Sequence, residues 1–182
     1  IALEVEVAPV RLPNRSPVHL FTYSYVKEMP QILDRVEEAK RDLREHWVNT
    51  FVLPGYVPKA QANEQGELIG KMDFSKVDEG LQLHPKDTIV WWLGGDIKQS
   101  VGLFPNLGNL SPEWKKAVKT LYRKWMEHLH QKGLGYEDFL VYPFDESTRP
   151  EVLEVCKLLK ESDSKARLFL NPTGGCQQAL DL

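Results

Sequence analysis

Thr88-Ile-Val-Trp-Trp-Leu93, a helix-patterned run from Ser111 to Leu129, and Asp138-Phe-Leu-Val-Tyr142 follow one another in the middle of the chain. The two outer segments are short and dense in β-branched and aromatic residues, as strands are. Between them Trp114, Ala117, Val118, Leu121, Tyr122, Trp125, Met126 and Leu129 fall at helical spacing and make one apolar stripe. Ser111 can cap that helix, Pro112 suits its first position, and Gly133 or Gly135 can end it. Strand, helix, strand in that order predicts parallel strands joined by a crossover helix.

The same order extends outward. Val18-His-Leu-Phe-Thr-Tyr-Ser-Tyr25 reads as a first strand. A helix over 30–46 follows, with Ile32, Leu33, Val36, Ala39 and Leu43 on one side, and then a second strand, Val48-Asn-Thr-Phe-Val-Leu53, stopped by Pro54-Gly55. Lys59-Ala-Gln-Ala62 and Glu67-Leu-Ile-Gly70 flank a small hairpin turn, and a short helix is expected over 73–83. Beyond the central unit, Thr148 and Glu151 form a capping-box pattern before a helix that buries Val152, Leu153, Val155, Cys156 and Leu159. Lys165-Ala-Arg-Leu-Phe-Leu170 is a fifth strand, stopped by Asn171-Pro172.

Five strands alternating with helices predict an α/β protein with a parallel sheet, either an open doubly wound sheet or a TIM-type (β/α) barrel. No strand runs into GxGxxG or GxxxxGK[ST], so the nucleotide fingerprints are absent. A barrel over 16–182 would be a partial one of about five strands, since a typical barrel takes about 250 residues. Residues 1–15, an alternating strand and a proline-bearing connector, read as the tail of a preceding β domain or linker, or as an edge appendage to the main one.

The 182 residues carry 23 Lys and Arg against 26 Asp and Glu, a net charge of -3. That supplies no general attraction for nucleic acid or an anionic membrane, so neither is an expected partner. No apolar run is long enough for a transmembrane helix. The only cysteines, Cys156 and Cys176, are not in a CxxC pair, and the five histidines show no ligand spacing. No metal and no cofactor is expected.

In a parallel α/β protein, ligands meet the carboxyl ends of the strands. Those ends offer Tyr23 and Tyr25, Pro54 and Tyr56, Trp91, Trp92 and Asp96, then Tyr142, Phe144, Asp145 and Glu146, and finally Asn171. Rings and carboxylates with hardly any cation suit a neutral polyhydroxylated ligand better than a phosphate. Asp145-Glu146 is the sharpest feature, two adjacent acids carried off an apolar strand into the mouth. Neighbouring carboxylates oppose each other's ionisation, and a glycosidase needs an acid that keeps its proton. The competing reading is a solvated turn before a helix. Whichever of Trp91 and Trp92 faces the mouth could stack on a sugar, since successive strand side chains alternate. Trp114 and Trp125 read as core. Asp96, after Gly94-Gly95, could bind a hydroxyl or merely turn the chain.

The connector Val7-Ala-Pro-Val-Arg-Leu-Pro-Asn14, the run Asp42-Leu-Arg-Glu-His-Trp-Val-Asn-Thr50 and Tyr142-Pro-Phe-Asp-Glu146 resemble the catalytic domain of glycoside hydrolase family 123 and its bacterial relatives. The resemblance implies a β-sandwich followed by a (β/α)8 barrel, and retaining, substrate-assisted hydrolysis of β-linked N-acetylhexosaminides. It implies Glu146 as general acid/base and Asp145 as the carboxylate orienting the acetamido group. Trp91, Trp92, Tyr142, Tyr25, Asp96 and Asn171 are the expected sugar contacts. The implied partner is a carbohydrate, with a partner subunit or adjacent domain completing the barrel. A bacterial glycan-degrading protein of this kind would be periplasmic or secreted. Where many relatives have proline after the acid pair, this chain has Ser147. The alternative from another class is a non-catalytic carbohydrate-binding or assembly module built on a truncated barrel.

Overall fold

A computed structural model describes residues 18–23, 32–85, 87–93, 103–147 and 149–171. The elements are β1 (Phe21–Tyr23), a 3-10 turn (Leu33–Arg35), α1 (Val36–Glu45), β2 (Thr50–Pro54), β3 (Lys59–Ala62), β4 (Leu68–Asp73), α2 (Ser75–Leu83), β5 (Thr88–Trp92), α3 (Pro112–Gln131), β6 (Phe139–Tyr142) and α4 (Pro150–Ser162). The expected domain end over 1–15 lies outside the described residues.

β1, β2, β5 and β6 form one parallel sheet in that order, which is also their order along the chain. The 165–171 segment continues it beyond β6 through isolated parallel bridges, Val141 to Leu168 and Asp145 to Asn171. Backbone bonds from Val141 N–H to Arg167 O and from Phe169 N–H to Val141 O, both 2.9 Å, tie it there. The expected fifth strand is therefore present as two bridges rather than a continuous ladder. β3 and β4 make a separate antiparallel pair turning at 63–66.

Strand parity gives the sheet two different faces. Leu53, Ile89, Trp91, Phe139 and Val141 point into the main core, where the α3 stripe and Val152, Val155, Cys156 and Leu159 of α4 cover them. Ser111 Oγ accepts the Trp114 N–H at 3.2 Å, the N-cap expected for α3. Gly80 lets α2 lie close: a Cβ there would come within 2.9 Å of the Trp91 ring. The capping box at α4 is a correction. Its N-cap is Arg149, which makes no side-chain cap bond, and Thr148 lies outside the described residues.

The other face carries a smaller cluster of Val52, Val90 and Tyr142, with Tyr23, Trp92, Leu140 and Phe169 packed around it. This face is concave. Phe21 on β1 and Phe169 on the last segment are four interstrand spacings apart, about 19 Å on a flat sheet. Their ring centroids are nevertheless 5.4 Å apart. Only a strongly curled sheet brings the two rings together.

No described helix is long and apolar enough to cross a membrane.

Candidate functional site at the carboxyl ends of the strands

Trp92 and Tyr142 are opposite one another in the β5–β6 register, each the last residue of its strand. Their rings stack at 5.8 Å and 29°. Tyr23 at the end of β1 meets Trp92 edge-on at 5.8 Å, and Phe169 meets Tyr142 edge-on at 4.9 Å. The concave face thus ends in a ring wall contributed by four parallel segments. Such edge-on and offset contacts fix ring orientation better than apolar burial alone.

The acids stand at the rim of that wall. Between the two bridges the chain takes four steps from Val141 to Asp145 but only three from Leu168 to Asn171. One extra residue on the β6 side makes a bulge, the device by which strands re-aim a side chain next to a site. It leaves Asp145 half-buried and Glu146 exposed. Glu146 takes φ 45°, in the left-handed region that non-glycine residues avoid.

Asp145 is held from two strands. The Tyr142 hydroxyl donates to its Oδ1, and Asn171 Nδ2 donates to the same oxygen at 3.4 Å. Burial, followed by hydrogen bonds to Asp145 and Tyr23, pushes the Tyr142 phenol well above its ordinary range, against a smaller opposing effect of Asn171. The hydroxyl therefore remains a donor at any ordinary pH. The Trp92 indole N–H is buried and finds no acceptor among the described residues.

Two expected sugar contacts change their standing. Trp91 is 0% exposed on the helix-covered face, 5.9 Å from the Trp125 ring, so it packs the core and only Trp92 reaches the concave side. Tyr142 is also 0% exposed, so it can reach a ligand only through the groups it holds. Of the others, Asn171 meets Asp145 at 3.4 Å beside Glu146, and Trp92 stacks on the Tyr142 that holds Asp145. Tyr25 and Asp96 lie outside the described residues. Phe144 is buried, and the half-buried Tyr56 lies under Lys76 Nζ, 5.7 Å from its ring centroid. Phe169 and Phe21 complete the face without having been singled out. Part of the signal was available in the sequence: Phe21 lies two residues before Tyr23 in the predicted first strand, so alternation puts both on one side, and Phe169 lies one residue before the end of the predicted fifth strand.

The amino ends of the strands hold a different cluster. His84 is buried, stacked on Phe51 at 4.0 Å, with Nδ1 3.4 Å from Asp87 Oδ2. Arg44 Nη2 lies 2.7 Å from the same carboxylate oxygen. A cleft of about 560 Å³ opens here beside Asp78, Lys132 and Asp138. Asp78 is engaged by His128 at 2.7 Å and Lys132 at 3.0 Å, and Asp138 caps the Gly135 N–H at 2.8 Å. Acids and bases here neutralise one another at the end of the sheet associated with stability. Among the described residues, no group of three or more His, Cys, Asp and Glu side chains is placed to hold a metal ion.

Comparison of the sequence with protein-family models and with curated proteins finds no match.

Proposed function

We propose that the protein is a glycoside hydrolase-like enzyme that cleaves β-linked N-acetylhexosaminides with retention, the substrate's own acetamido group acting as nucleophile. The observation that carries this reading is the Asp145–Glu146 pair, one acid clamped and one exposed on a left-handed residue, at the edge of an aromatic wall. Consecutive carboxylates are a poor fit to a mechanism with a carboxylate nucleophile across the ring, which needs its two acids about 5 Å or more apart on either side of the bond. They fit one in which the substrate supplies the nucleophile.

In that mechanism Asp145 accepts the acetamido N–H and turns the amide oxygen toward the anomeric carbon. As that carbon–oxygen bond forms, the glycosidic bond breaks and Glu146 gives its proton to the leaving oxygen. Water then attacks the anomeric carbon, Glu146 takes back a proton, and the ring formed by the amide opens. Trp92 and Tyr23 supply ring surface for the apolar face of the sugar.

The architecture that goes with this reading is a partial (β/α) barrel, with the concave face as its interior. Chain-order parallel strands without a reversal, together with the contact between Phe21 and Phe169, favour it over a doubly wound sheet. The second reading, a glycan-binding module without catalysis, would use the same rings but has no need of a strained Glu146. A screen of nitrophenyl N-acetyl-β-hexosaminides with the protein in its native length separates them. Release of nitrophenol that is lost in Asp145→Asn, whose defect does not depend on the leaving group, supports the enzyme; sugar binding without turnover supports the module.

A further inference from the structure

We propose that Tyr142 and Asn171 are positioning residues that together clamp Oδ1 of Asp145 and so dedicate Oδ2 to a single hydrogen-bond donor on the ligand. The proposal rests on the site reading above and deepens it. It defines the ligand as one that presents an N–H at that oxygen, and assigns the selectivity to two residues beside the acids.

Both protein donors converge on one oxygen: the Tyr142 hydroxyl from the end of β6, and Asn171 Nδ2 at 3.4 Å from the neighbouring segment. Oδ2 has no hydrogen-bond or ion-pair partner among the described residues, although Asp145 is half-buried. A carboxylate has about four acceptor positions, so occupying only one oxygen leaves a directed vacancy for a donor. Tyr142 cannot itself be the ligand contact because it is fully buried. Its ring is also fixed, stacked on Trp92 on one side and met edge-on by Phe169 on the other. A rigid donor fixes the carboxylate plane, and a site built around a required hydrogen bond rejects ligands that lack the donor far better than an apolar pocket does. Asn171 adds a bond from the adjacent segment, at the bridge where the bulge lies.

The test uses pairs of non-hydrolysed nitrophenyl 1-thio-β-hexosides in the galacto and gluco series, one member 2-acetamido and the other 2-deoxy. Titration calorimetry on the native-length protein should show preference for the acetamido member. Tyr142→Phe, which keeps the ring, should weaken the acetamido member about 10-fold and leave the 2-deoxy member within about 2-fold. Asn171→Ala should do the same to a smaller degree. In an Asp145→Ala background, Tyr142→Phe should add no further loss, because its effect passes through that carboxylate. Equal losses for both ligands, or losses that simply add in the double variant, would overturn the clamp. A native protein that binds neither thioglycoside overturns the sugar reading instead. A crystal structure of Tyr142→Phe then decides the clamp separately: a swung carboxylate on an unchanged backbone sustains it, and an unmoved one overturns it.

Discussion

Phe21 and Phe169 touch edge-on, at 5.4 Å and 66°, although they come from the two outermost parallel segments of the described sheet. The contact ties the ends of the sheet across its concave face, and it can be measured. Each single Ala substitution should destabilise the protein, and a double-mutant cycle should return a coupling of about 0.5–1.5 kcal/mol, the usual value of an aromatic pair. A coupling indistinguishable from zero in urea unfolding would mean a flatter sheet in solution.

The two acids should separate by leaving group. Glu146→Gln cannot donate a proton, so hydrolysis of poor leaving groups should fall about 10²–10⁴-fold, while very acidic phenols should be far less affected in bond breaking. Asp145→Asn removes the charge that orients the amide, so its defect should persist with activated leaving groups. A thiazoline mimic of the cyclised intermediate should also bind the Asn variant more weakly. Identical leaving-group dependence in both variants would defeat the assignment of roles.

The φ of 45° at Glu146 makes a stability prediction opposite to the usual one for glycine. Relief of the left-handed strain, about 1 kcal/mol, should offset the entropy that glycine adds to the unfolded chain. Glu146→Gly should therefore change stability by no more than about 0.5 kcal/mol, though it removes the acid. Glu154→Gly, inside α4, should cost about 1 kcal/mol. Denaturant titrations of the two variants side by side check the contrast.

Gly66 turns the β3–β4 hairpin at φ +70°, and a Cβ there would lie 2.1 Å from the Glu113 carbonyl oxygen. Backbone cannot give way like a side chain. Gly66→Ala should cost at least about 2 kcal/mol, against the few tenths expected for an exposed turn, with thermal unfolding as the measurement.

Acid should weaken the fold in two stages. Burial holds the His84 imidazole below its ordinary 6.5, outweighing the opposing pull of Asp87, while Lys40 and Arg44 add to the lowering. The folded state therefore keeps His84 neutral, and the unfolded chain takes up the proton first. Stability is full above about pH 6.5 and declines below it, by at most about 1.4 kcal/mol per pH unit for one proton. Burial alone would raise Asp87, but hydrogen bonds from His84 and Arg44 leave it below its ordinary 3.8, so its contribution survives until the pH drops beneath that value. His84→Gln should flatten the urea midpoint between pH 7 and pH 5 and leave the loss below pH 4.

The helix-patterned run after Ser111 was legible because its cap, its proline and its stripe all agree, and α3 begins at Pro112 as they require. The parallel order of the strands followed from the same alternation. The acid pair at the end of β6 was legible from position alone. Alternation also required Trp91 and Trp92 to part, but periodicity does not say which ring lies under helices. Packing against Trp125 decided that for Trp91. The burial of Tyr142 was equally out of reach, since a strand-end tyrosine is exposed or enclosed according to what curls over it, here Phe169 from a segment 27 residues later. The sequence by itself determined which residues alternate, cap and turn, because those are local preferences of a few neighbouring dihedrals. The tertiary structure alone decided the curl of the sheet, the bulge at Asp145 and the two donors on its oxygen, because each depends on contacts between segments distant along the chain.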